Sequence, residues 1–227
     1  MQLENLTKIR QGEDKRRYDD ACAAAHGMDL IGERWSMPLI RELLLGPRRF
    51  GDLKASLNGI SANVLTQRLE GLEAAGVLIR RRLPPPASVQ VYELTPWGYQ
   101  SAPIFQALGR WAVRSPHHDP MRPFSPVSLM LSLRTMFSDA AAGDLQARIQ
   151  LVMKGEPFFW IRENGAITIG RGEIADADLT LIAEPTEIAG YVYAGAPLET
   201  IRAEGDLRFA QRLPSLFPMP DKALGPA

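Results

Sequence analysis

Gly59-Ile60-Ser61-Ala62-Asn63-Val64-Leu65-Thr66-Gln67-Arg68-Leu69 carries two patterns at once. Ser61 follows a glycine and opens a helical period, the place where a hydroxyl accepts from the free N–H groups of a first turn. At 100° per residue Leu65, Leu69 and Leu72 share one face, while Asn63, Thr66 and Gln67 turn to the other. The leucines predict burial. The outward set consists of short hydrogen-bonding side chains near a helix N-terminus, the arrangement with which a recognition helix reads base edges in the major groove. Asn63 and Gln67 suit adenine, and Ser61 with the free amides suits a phosphate. Glu70 lies on the same outward face and is expected beyond the groove.

Working outward, Ser36 is expected to cap a short helix carrying Ile40, Leu43 and Leu44, stopped by Gly46-Pro47, and a second helix is expected over Phe50 to Leu57. After Gly76 the period shortens to that of strands, Val77 to Leu83 and Val89 to Leu94, around the tip Pro84-Pro85-Pro86-Ala87-Ser88. This is a wing. Arg80, Arg81 and Arg82 precede its tip, so at least one guanidinium reaches a phosphate or the minor groove whichever face the strand shows; Arg48 and Arg49 add a second basic point. Thr95-Pro96 opens a further helix that Pro103 should bend or divide. Ile104, Leu108 and Trp111 stand on it at i, i+4 and i+7. With Trp97 and Phe105 they exceed what a small winged helix buries alone, which points to a dimer interface, with packing onto the second domain as the alternative.

The segment Cys22 to Trp111 resembles the HxlR-type winged-helix family of bacterial regulators, relatives of the MarR type. The matching parts are Cys22, Leu30-Ile31-Gly32-Glu33-Arg34-Trp35, Leu43 through Phe50, Ile60-Ser61 with Leu65-Thr66-Gln67-Arg68-Leu69, and Leu94-Thr95-Pro96-Trp97-Gly98. The resemblance covers about two fifths of the chain. It implies a homodimer on double-stranded DNA with an inverted-repeat operator, a recognition helix led by Ser61 and including Arg68, a basic wing, and dimer contacts from terminal helices. The run Pro84 to Pro86 departs from the family pattern and stiffens the wing tip. Cys22 stands where some family members carry a redox-sensing thiol. Its alanine neighbours supply no cation and Asp19 and Asp20 oppose a thiolate, so a small buried packing residue is expected, with redox sensing as the alternative.

Composition sets the frame. The formal net charge of the 227 residues is zero, yet residues 1–116 hold 16 Lys or Arg against 12 Asp or Glu, so +4, and residues 117–227 hold 10 against 14, so −4. A basic half, suited to displacing counterions from phosphates, is joined to an acidic half. The single cysteine forms no intrachain disulfide, as in a reducing cytosol. Met1 to Arg17 lacks the apolar stretch of a signal peptide, and no run approaches a membrane span. A cytoplasmic protein without a membrane partner is expected.

Pro116, Pro120, Pro123 and Pro126 mark a linker. The expected fold class is α+β: a winged helix-turn-helix over 1–115, a linker over 116–126, a second domain over 127–217, and a loose tail over 218–227. Strands are expected at Ile149 to Met153, Phe158 to Ile161, Ala166 to Ile169 and Leu179 to Ile182, in a mainly antiparallel sheet with helices. This half resembles a sterol-carrier-protein-like domain through Ala177-Asp178-Leu179-Thr180-Leu181, a helix over Pro185 to Ala194, Gly195, and Ile201 to Asp206 leading into a last helix. The likeness implies an apolar cavity for lipid or other apolar ligands and no catalysis. Met130, Met136, Phe137, Phe158, Trp160, Tyr191 and Tyr193 are the candidate lining, or else plain core. The short spacing from Gly195 to Gly205 leaves little room for a full strand pairing, so a shrunken or closed pocket is foreseen. His26, His117 and His118 form no catalytic triad or metal spacing, and no cofactor is expected. The two functional classes in contention are a ligand-controlled regulator and a lipid or acyl carrier dimerised by its winged helix.

Overall fold

Apolar periods and turn residues divide the chain where the sequence places them, with a few exceptions. The computed structural model describes residues 18–120 and 122–223, so the expectation for Met1 to Arg17 lies outside the described residues. Contacts group the chain into two compact units: the residues up to Leu43 with Pro47–Gly98, and Leu44–Gly46 with Tyr99 onward.

In the first unit, α1 (Ala23–Ile31), α2 (Ser36–Leu43), α3 (Phe50–Ser56) and α4 (Ala62–Ala74) lead to the hairpin β1 (Leu78–Arg82) and β2 (Gln90–Leu94), followed by the short α5 (Pro96–Tyr99). Ser36 does not cap α2. It is its first residue and is buried, while Trp35 ahead of it turns the chain at φ 80°. Leu39, Ile40 and Leu43 of α2, Leu53 of α3, Leu65, Leu69 and Leu72 of α4, and Leu78, Val91 and Leu94 of the hairpin are buried. The hairpin is antiparallel from Leu78↔Leu94 to Arg82↔Gln90. Arg48 adds a bridge, its N–H donating to the Tyr92 carbonyl at 2.9 Å and its carbonyl accepting from Tyr92 N–H at 2.8 Å. The turn into α5 leaves little room for a side chain at 98. The Thr95 hydroxyl donates to the Gly76 carbonyl at 2.8 Å and accepts from Gly98 N–H at 3.0 Å, which holds a Cβ at 98 to 2.1 Å from the Val77 carbonyl oxygen.

The second unit begins with α6 (Ala102–Ala112), separated from α5 just before Pro103 as expected. The units therefore part at Gly98/Tyr99, ahead of the Pro-rich segment in which the sequence suggested a boundary. Next come α7 (Pro126–Met136), α8 (Asp139–Ala142), β3 (Ala147–Met153), β4 (Glu156–Glu163), β5 (Ala166–Arg171), β6 (Leu179–Ile182), α9 (Pro185–Ala194), β7 (Arg202–Gly205) and α10 (Leu207–Arg212). The sheet order is β5-β4-β3-β6-β7, with β3 and β6 parallel and the other pairs antiparallel. Its register sets Trp160 and Leu179 beside Ile149, and Phe158 and Leu181 beside Leu151, which makes one face continuous apolar surface. Buried residues of α7 and α9 join the same core. Gly195 ends α9 in the left-handed region (φ 72°) and turns the chain at once. β7 then pairs with β6 from Ile182↔Arg202 to Leu179↔Gly205, contrary to the limited pairing expected there.

Candidate nucleic-acid interface

Ser61 caps α4, its Oγ accepting from Val64 N–H at 3.2 Å, and thereby fixes which residues occupy the first turn. With Leu65, Leu69 and Leu72 buried, Ser61, Asn63, Thr66, Gln67 and Glu70 are exposed. The side chains of Asn63, Thr66 and Gln67 make no hydrogen bond among the described residues, so their donors and acceptors face solvent. This matches the helix read from the sequence.

The arginines divide into two groups, which the sequence did not foretell. Arg80 Nη2 lies 2.9 Å from Glu73 Oε2, its backbone N–H donates to Glu73 Oε1 at 3.2 Å, and its guanidinium sits 5.7 Å from the Tyr92 ring. The hydrogen bond and charge of Glu73 raise the Arg80 pKa further. Arg81 is half-buried and paired with Glu93, and Arg68 Nη1 lies 3.3 Å from Glu33 Oε2. Arg48 is half-buried, 3.9 Å from Asp52. Arg49 and Arg82 remain exposed without an ion pair among the described residues; Arg82 Nε donates only to the Ser88 carbonyl at 3.0 Å, bracing the wing tip. The six arginines are thus not equivalent, because carboxylates on α3, α4, β2 and the loop before α2 already pair with four of them.

The HxlR-like helix-turn-helix family model matches residues 30–119. The HTH-type transcriptional regulator YvaP of Bacillus subtilis is 36% identical over 105 residues, covering 46% of this chain and 91% of YvaP. The chain belongs to the HxlR-like helix-turn-helix family. This HxlR-like chain is also 34% identical over 83 residues to the HTH-type transcriptional regulator YodB of B. subtilis, covering 37% of the chain and 74% of YodB. Among solved structures, the reduced form of YodB from B. subtilis is 29% identical with a TM-score of 0.40, covering 44% of this chain and all of that one. Membership places the N-terminal part among DNA-binding transcriptional regulators of winged helix-turn-helix type. The family match ends at residue 119, so the sheet of the second unit lies outside it.

On α6 of this HxlR-like chain, Ile104, Leu108 and Trp111 are all exposed, Trp111 to 76%, and Trp97 on α5 is half exposed; Phe105 is partly buried. Cys22 is exposed at the cap position of α1, not the buried packing residue expected. The N–H groups of Ala25 and then Ala24 lower its pKa, a contribution from the backbone that a search for neighbouring cations overlooks.

The expected pocket of the second unit is filled. Met130, Phe158, Trp160 and Tyr191 are buried, Phe137 packs against Trp160 with ring centroids 5.1 Å apart, and Phe217 completes the aromatic group. Tyr193 shares a 2.9 Å hydrogen bond with Ser132, and burial pushes its hydroxyl above the usual tyrosine range. The space remaining beside Trp160, Leu151 and Ile188 is about 10 Å³, and only Trp160 of the seven expected residues lines it. Large side chains stand side by side on one face of the sheet at Ile149↔Trp160 and Leu151↔Phe158, and buried residues of α7 and α9 pack into the same core. The Trp160 indole N–H is buried without a partner among the described residues. Among the described residues no helix is long and apolar enough to cross a membrane.

Proposed function

We propose that the chain is a cytoplasmic, homodimeric transcription regulator that reads an inverted repeat in duplex DNA through α4. Its second domain, of sterol-carrier-like kind, responds to a small apolar ligand. The observation that carries the DNA-binding part is the exposed, unbonded set Asn63, Thr66 and Gln67 on a helix whose opposite face is buried. Ser61 and the free amides of the first turn meet a phosphate; Arg49 and Arg82 supply the first charge contacts, and Arg48, Arg68, Arg80 and Arg81 take part to the extent that they leave their carboxylates. The apolar stripe Ile104, Leu108 and Trp111 is the subunit contact, and a two-fold pair sets the two α4 helices about 34 Å apart, one turn of DNA. In functional terms we assign residues 1–115 to DNA binding and pairing, 116–126 to the linker, 127–217 to ligand response, and 218–227 to the tail. With the core filled, such a ligand must open the second domain to enter.

A duplex selected from a random pool, titrated by fluorescence anisotropy, tests the main reading. Asn63→Ala and Gln67→Ala should each weaken the selected duplex by about 1 to 3 kcal/mol and leave binding to unrelated DNA unchanged. Equal affinity of wild type and variants for the selected duplex removes α4 as the reader. Native mass spectrometry of the same preparation reports dimer mass and retained ligand. No DNA binding at low salt would leave the carrier alternative standing.

A second reading assigns Cys22 a redox role, favoured by its exposure and by the first-turn N–H groups that lower its pKa.

A further inference from the structure

The end of α6 is closed by a distant piece of chain. The last carbonyls of a helix lack intrahelical donors and carry the negative end of its dipole, so a cation or a donor strand placed there stabilises them. Here the carbonyl of Val113, the C-cap of α6, and those of the two residues after it are bonded from residues 221–223. Lys222 Nζ donates to Val113 O at 3.0 Å and to Ser115 O at 3.3 Å, and Ala223 N–H donates to Arg114 O at 2.7 Å. Arg114 answers with its own Nε, which donates to the Asp221 carbonyl at 3.2 Å. The segment expected to hang loose is bonded at least to Ala223.

The flank of the same helix is held by the domain that this segment leaves. Arg110 Nε donates to the Thr135 carbonyl at 3.0 Å, at the end of α7, and α6 passes close enough there that a Cβ at Gly109 would touch the Thr135 methyl at 4.0 Å. Upstream of the strap, Phe217 is buried in the core beside Trp160 and Phe137, and Ser138 N–H donates to Leu216 O at 2.9 Å. One short path therefore runs from the centre of the second core, through residues 217–223, to the C-cap of α6 and the two residues after it. The side of α6 that these bonds leave bare carries Ile104, Leu108 and Trp111.

We infer that residues 221–223 form a strap through which the second domain sets the position of α6, so that subunit pairing depends on the state of that domain. This rests on the reading of the α6 stripe as the subunit contact. A rearrangement around Phe217 shifts the strap, loosens the carbonyls of Val113, Arg114 and Ser115, and changes how the stripe is offered to a second copy. The coupling runs both ways, so pairing also tightens the strap.

The full-length protein tests this with Lys222→Met, Lys222→Arg and a chain ending at Pro220, each followed by sedimentation velocity and hydrogen exchange. Lys222→Met and the shortened chain should raise the dimer dissociation constant by about fivefold or more, the lower end of typical coupling between sites. They should speed amide exchange at Arg114 and Ser115 while β3 and β4 keep their protection, which shows an intact fold. Lys222→Arg, which keeps the charge and donors, should restore both. A dimer whose dissociation constant moves in neither variant overturns the strap alone. A wild-type chain that stays monomeric at all concentrations removes the α6 contact and the strap together.

Discussion

Replacing Glu73 by Gln should make the protein bind DNA more tightly. Glu73 Oε2 lies 2.9 Å from Arg80 Nη2, and its other oxygen accepts from the Arg80 backbone N–H at 3.2 Å. Gln keeps an acceptor for the backbone and removes the charge that neutralises the guanidinium, so Arg80 becomes available to one further phosphate. Each phosphate neutralised adds about 0.9 to the slope of log affinity against log salt. One added contact therefore corresponds to about fivefold tighter binding at 0.15 M salt and about fifteenfold at 0.05 M. The gain should be the same for any sequence, since a phosphate contact carries no base information. Arg82→Gln should do the reverse, flattening the slope by about 0.9 from an arginine that has no ion pair to give up among the described residues. Anisotropy on one duplex at four salt concentrations reads both. If E73Q leaves the slope unchanged or weakens binding, Arg80 serves to hold β1 against α4 and does not reach DNA.

Two further changes probe local physics. Gly98→Ala places a Cβ 2.1 Å from the Val77 carbonyl oxygen and 3.2 Å from the Leu94 Cβ, so the turn into α5 must shift. A loss of about 1 to 3 kcal/mol in denaturant unfolding is expected, and an unchanged midpoint would show that this turn yields freely. The Cys22 thiol, lowered by the Ala25 and Ala24 N–H groups, should hold more thiolate at neutral pH than an ordinary cysteine. Its rate of alkylation by iodoacetamide should rise with a midpoint below that of a free thiol and fall as pH drops through it; a midpoint at or above the free-thiol value refutes the backbone effect.

What the residues announced in advance were features settled within a few positions. The cap at Ser61, the leucine face of α4, the hairpin and the break before Pro103 each depend on neighbours in sequence, and the structure has them all. The same signal was present at Ser125-Pro126, where Ser125 caps α7 by accepting from Ser128 N–H at 3.0 Å, but the density of prolines around it suggested linker instead. The pairing of the arginines could not be read this way. Glu33 with Arg68 and Glu93 with Arg81 meet only once helices and hairpin have packed, so a count of basic residues overstates the charge available to phosphate. The destination of residues 221–223 is more remote still, since their partners lie over a hundred positions away.

Composition also cannot separate a filled core from a hollow one, because the same aromatic and Met side chains build either. The difference matters for how a ligand could act. A small-molecule site needs about 300 Å³ or more, against the 10 Å³ beside Trp160. Opening such a space costs about 24 cal/mol per Å³, or about 7 kcal/mol. A ligand with the about −12 kcal/mol of a nanomolar fit would then retain about −5 kcal/mol, a sub-millimolar affinity. An effector that works through this core at useful concentration must therefore be small enough to displace a single side chain, or must select a second arrangement of the domain that is already populated. Either route moves Phe217 or its neighbours, and these lead through the strap to α6. A packed second domain is thus better suited to transmitting its rearrangement to the proposed subunit contact than a preformed cavity, which fills without moving its walls.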